Sequence, residues 1–105
     1  MISNKILTAA EEVNGPIVVP RDHIVNAGVQ YGAGGLGTLV LEGTLNEVDW
    51  VAIGLTPAGG GAVVASVAAA GIWYAAVSQY SSVRLRKSVA GGGPVTSSLS
   101  IASAR

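Results

Sequence analysis

Thr38-Leu39-Val40-Leu41-Glu42-Gly43-Thr44-Leu45, then Asn46-Glu47-Val48-Asp49 and Trp50-Val51-Ala52-Ile53, is the stretch that decides the fold. In an extended chain Leu39, Leu41 and Leu45 share one side, while Thr38, Val40, Glu42 and Thr44 share the other. An apolar and a polar side on one strand suit a sheet packed on a core from one face only. Leu45 and Trp50 flank a four-residue segment with Asn and Asp, so a hairpin loop is expected there.

The same alternation recurs downstream. Over residues 80–88, Val83 and Leu85 oppose Arg84 and Arg86; over 95–103, Val95, Leu99 and Ile101 oppose Thr96, Ser98 and Ser100. Further strands are predicted at 17–19, 24–31, 50–55, 62–68 and 72–77. Segment 62–68 is alanine-rich, which favours helix by propensity, and Val63, Val64 and Val67 also fit a helical face. Flanking glycines and the β-rich neighbourhood favour a strand. Gly15-Pro16, the glycines at 32, 34, 35 and 37, Pro57 to Gly61, Gly71, and Gly91-Gly92-Gly93-Pro94 punctuate these pieces. Short strands between such turns predict an all-β chain, a single jelly-roll-like β-sandwich of about eight strands. Residues 1–15 are read as an N-terminal arm or first strand, and 16–105 as the sandwich domain.

A length of 105 residues allows one domain. Half the residues are hydrophobic, enough for a core, and most are the small Val, Ala, Leu and Ile that pack well between sheets. Only 11% are charged, and six basic residues cancel six acidic ones. That balance argues against nucleic acid as a partner, whose binding draws on a cationic patch; Arg84, Arg86 and Lys87 are the one basic cluster. It also protects a free monomer poorly against association, so cover by a partner or by copies of the chain is expected. No cysteine is present, which removes disulfides and thiolate sites. From Trp50 to Val83 there is no charged side chain, but the best apolar run, 62–77, is short, alanine-rich and broken by Gly71. No membrane-spanning helix is expected from it, nor a secretory leader from the first ten residues.

Motifs for chemistry fail on context. Gly32, Gly34 and Gly37 match the spacing of a dinucleotide loop, but a strand follows where a helix would be needed. Asp22 and the lone His23 are adjacent, so on a strand they would point to opposite faces. Glu42, Glu47 and Asp49 read as ordinary surface carboxylates. No catalytic residue, metal ligand or cofactor is assigned, and the chain is not expected to be an enzyme. Trp73 and Tyr74 should face opposite sides of their strand, leaving one at the surface. Arg84 and Arg86 share a face and could pair with acidic groups on a partner. These four are the candidate interface residues.

One resemblance adds to this reading. The triplet Glu42-Gly43-Thr44 ends a strand, a short turn leads to Trp50, and Gly71-Ile72-Trp73 and Val83-Arg84-Leu85-Arg86 follow. That pattern, over residues 25–103, resembles a module of small tailed-phage virion proteins. Family members often carry Asp-Gly in the turn where Asn46-Glu47-Val48-Asp49 stands here, which leaves the turn type open. The resemblance implies a β-sandwich or jelly-roll virion component, foremost a capsid decoration (cement) subunit in contact with the major capsid protein. It brings no catalytic residues. The competing expectation is a carbohydrate-binding module of a tail or fibre, with an exposed Trp or Tyr for stacking and Asn46, Glu47 and Asp49 as polar partners.

Overall fold

The alternating segments become strands in a computed structural model that describes residues 2–8, 11–20, 24–88 and 93–104. The Asp22-His23 pair lies outside the described residues. In chain order the strands are β1 (Ile2–Leu7), β2 (Val13–Val18), β3 (Ile24–Tyr31), β4 (Leu39–Thr44), β5 (Val51–Ala52), β6 (Thr56–Pro57), β7 (Gly71–Ala76), β8 (Ser82–Lys87) and β9 (Val95–Ala104). They form a five-stranded sheet, β1-β9-β3-β7-β6, and a four-stranded sheet, β2-β8-β4-β5.

The order has a simple origin. Antiparallel pairs β1:β9, β2:β8, β3:β7 and β4:β5 make one long folded ribbon. Rolling that ribbon brings β3 against β9 and β4 against β8, again antiparallel. A ribbon wound in this way is a jelly roll, with β6 added at one edge. The expected all-β sandwich is therefore the observed fold.

Inward positions of both sheets meet in one core. Leu7, Val25, Leu39, Leu41, Leu55, Val77, Val83, Leu85 and Leu99 are fully buried there. Tyr31 is buried among them and keeps its hydroxyl satisfied by donating to the Gly37 carbonyl at 2.7 Å. A polar clasp closes the edge between the sheets. Buried Asn14 of β2 donates through Nδ2 to the Ser3 carbonyl at 2.9 Å and to Ser97 Oγ at 3.0 Å, and Ser3 Oγ donates back to Asn14 Oδ1. Ser97 Oγ in turn donates to the Lys5 carbonyl at 2.8 Å, so β1, β2 and β9 are held by one connected network.

Three expected strands differ: the one expected at 17–19 is β2, which starts at Val13 and runs through Gly15-Pro16, with a shift of register between Asn14 and Ile17. Segment 62–68 is neither strand nor helix: Val64 pairs once with Leu55, and Val67 once with Leu39. These two anchors sit three residues apart, a spacing that a strand alternating every second residue cannot bury on one side. Val63 is left 65% exposed, and alanine offers little side chain to hold a regular ladder. In 50–55 only Val51–Ala52 forms ladder with β4, because Ile53 to Leu55 carry the chain across to the other sheet, where β6 pairs β7. The N-terminal segment enters the sandwich itself, since β1 pairs along its whole length with β9.

Candidate functional site

Strand alternation gives each sheet an outward face, and the two faces differ in charge. On the five-stranded sheet the register aligns Ile2, Ser100, Gly28, Tyr74 and Thr56 in one row. Asn4, Ser98, Gln30 and Ile72 form the next. Ala102, Asn26 and Ala76 lie on one side of these rows, and Ile6 with Thr96 on the other. No charged side chain stands among these described positions.

This face is also uneven. Small residues run along β9 in its middle, and β3 beside it is small at Gly28, between exposed Asn26 and Gln30, whereas Ile2 and Ile6 on β1 and Ile72 and Tyr74 on β7 rise at the sides. Their exposures are 69% and 59%, and 53% and 47%, which is high for side chains of this size. Between them lies a shallow depression of about 410 Å³ lined by Ile2, Asn4, Gly28, Gln30, Ile72, Ser98 and Ser100. Gly28 makes its floor: a Cβ there would stand 2.7 Å from Ser100 Oγ.

The four-stranded sheet carries the charges. Glu42 of β4 faces Arg84 of β8, and Arg84 Nε donates to Glu42 Oε1 at 2.9 Å. Arg86 Nε donates to Glu42 Oε2 at 3.0 Å, and Arg86 Nη1 reaches Glu11 at 3.1 Å. Chiefly through its hydrogen bond, Glu42 holds the Arg86 guanidinium above its usual pKa. Arg84 also stacks on Trp50, 4.1 Å from the ring centroid. Paired charges with aromatic cover make a surface whose members serve one another.

The hairpin loop is braced from within. Thr44 Oγ1 donates to the Asp49 carbonyl at 2.7 Å, and Asn46 Oδ1 accepts the Val48 and Asp49 amides at 2.9 and 2.8 Å. Glu47 adopts φ 65°, and its Oε1 accepts from Ser82 Oγ at 2.8 Å. A smaller depression of about 260 Å³ lies beside the loop, lined in part by Asn46, Asp49 and Tyr80. Among the described residues no three His, Cys, Asp or Glu side chains gather as a metal site would require.

The four candidate interface residues are thus divided between the two sheets. Tyr74 stands on the charge-free face, while Trp73 points inward and packs against the core beneath Gly71. Arg84 and Arg86 lie together on the other sheet and bind acidic groups of this chain. Sequence reasoning missed Ile2, Asn4, Gly28, Gln30, Ser98 and Ser100. The signal was present in the uncharged outward positions of 24–31, 72–77 and 95–103, but nothing in the residues said that these strands were neighbours.

No family model matches the chain, and no curated protein matches it. Among solved structures it is similar to the SPBc2 prophage-derived protein YomS, with a TM-score of 0.71 at 14% identity. The match covers 96% of this chain and 93% of that one, so the two share the whole fold.

Proposed function

We propose that this chain is a structural protein of a phage particle, a capsid decoration subunit that stabilises the shell by bridging copies of the major capsid protein. The charge-free outer face of the five-stranded sheet carries this reading. Four large apolar side chains at roughly half exposure or more, with amides and hydroxyls between them, form a surface better suited to burial against protein than to solvent. The prophage-derived origin named for YomS and the virion-module resemblance of residues 25–103 support a phage setting. In this role the chain needs no catalytic group or cofactor, and many symmetry-related copies make a modest contact collectively strong.

Co-sedimentation with bare particles of the phage or prophage that encodes the chain tests the proposal. Saturable, stoichiometric binding to empty shells is the expected result. Binding to tails or host cells alone would overturn it. Tyr74, flanked on its sheet by Gly28 and near the amides of Asn26 and Gln30, favours one second reading: a carbohydrate-binding tail or fibre module. That reading requires a calorimetric titration with glycans to saturate and Tyr74→Ala to abolish it.

A further inference from the structure

We propose that a second copy of this chain covers the charge-free face, so that two five-stranded sheets stack about a two-fold axis. This rests on the reading of that face as an assembly surface and gives it a second copy of the chain as its occupant in place of the major capsid protein.

Charge comes first. A charged partner surface laid here would lose hydration and find no countercharge, which is costly. Among its described positions the chain's own face brings no charge to the contact and meets itself without that penalty. Its polar groups are self-complementary as well, because the amides of Asn4 and Gln30 and the hydroxyls of Ser98 and Ser100 each donate and accept.

Shape agrees. In the central row Ile2 and Tyr74 are separated by Ser100 and Gly28 alone, so along that row the face is a ridge, a trough and a ridge, with Asn26 and Gln30 at the two ends of the trough on β3. Strands about 4.8 Å apart place β1 and β7 about 14 Å from one another, wide enough to receive one row of side chains. The Ile72–Tyr74 ridge of one copy enters the trough of the other, and the two-fold axis returns the same fit. Stacked sheets lie about 10 Å apart, the distance at which such rows interdigitate.

Area is sufficient. Strand spacing and rise give a face of roughly 24 by 24 Å, so two copies bury about 1,200 Å² in total, the lower end of specific interfaces.

Ser98→Arg and Ile72→Lys test the pairing, since both sit on the outward face and leave the core untouched. Sedimentation equilibrium is measured on the full chain and both variants, with melting curves as the fold control. A wild-type dimer whose dissociation constant rises at least about 30-fold in each folded variant is expected, the effect of spoiling a central contact. A wild-type monomer up to about 1 mM, where even a weak pair would form, overturns the inference. So does a dimer that neither variant weakens. Co-sedimentation of the variants with bare shells separates the two levels. A monomeric wild type whose variants lose shell binding removes the self-pairing and keeps the assembly surface. A monomeric wild type whose variants bind shells normally removes both.

Discussion

Glu42 stands opposite Arg84 on the β4–β8 ladder, and Arg84 Nε donates to Glu42 Oε1 at 2.9 Å while Arg86 takes the other oxygen at 3.0 Å. One carboxylate with a side chain 9% exposed therefore serves two guanidiniums. Its removal leaves partly buried Arg84 with the Trp50 ring but no carboxylate, and Arg86 with Glu11 alone. Glu42→Ala is expected to cost about 2–3 kcal/mol in urea unfolding, below the range for a fully buried pair because both arginines keep some solvent. Glu42→Gln should recover only part of that loss, since it restores shape without charge. Equal stability of Glu42→Ala and wild type would contradict the ladder.

Asn14 and Ser97 give a second test. Asn14→Ala leaves Ser3, Ser97 and their carbonyls short of partners and is expected to destabilise by about 2 kcal/mol, with Ser97→Ala near about 1 kcal/mol. Because the two belong to one network, the double variant should lose clearly less than the sum. Additive losses would mean that the clasp does not act as a unit.

Gly43 is fixed by packing, not by backbone conformation. A Cβ at this position would stand 2.7 Å from the Tyr80 ring and 2.8 Å from Ile53 Cδ1. Gly43→Ala is expected to cost about 1–3 kcal/mol by overpacking. In a Tyr80→Ala background the same change should cost far less, which thermal melts of the four proteins would read.

Tyr31 sets an alkaline limit. Burial raises its pKa above the ordinary tyrosine value, because the phenolate is poorly solvated there. A folded pKa above the unfolded one means a contribution that is whole below about pH 10 and lost as pH climbs toward the folded value. Tyr31→Phe also loses the hydrogen bond to Gly37 and should be less stable at pH 7. Its stability should fall less steeply than wild type above pH 10, as urea titrations across that range would show.

Much of the sandwich was legible because apolar and polar residues alternate in 24–31, 80–88 and 95–103, where side chains on one face are buried and register is pinned; in 38–45 Leu39 and Leu41 are buried as expected, but the strand ends at Thr44 and Leu45, expected on the same side, is 70% exposed. Legibility failed where long-range contacts outweigh local pattern. Val64 and Val67 are held by single ladder pairs with Leu55 and Leu39, residues to which no local periodicity points. One of Trp73 and Tyr74 could be placed at a surface, since neighbours on a strand face opposite ways, but only the structure shows that it is Tyr74. Its neighbours Gly28, Ser100 and Ile2 come from three other strands, and only the rolled topology sets them beside it. The arginines illustrate the reverse case: their shared face was readable, whereas Glu42 and Glu11 as partners were not, because pairing depends on which strands flank β8.

The most direct measurement is the disruption temperature of bare particles with and without stoichiometric wild-type chain, with Ser98→Arg as the comparison. A raised disruption temperature with wild type, lost or much reduced with the variant, is the expected result. No change with wild type would contradict the decoration role, whatever the chain's own stability or state of association.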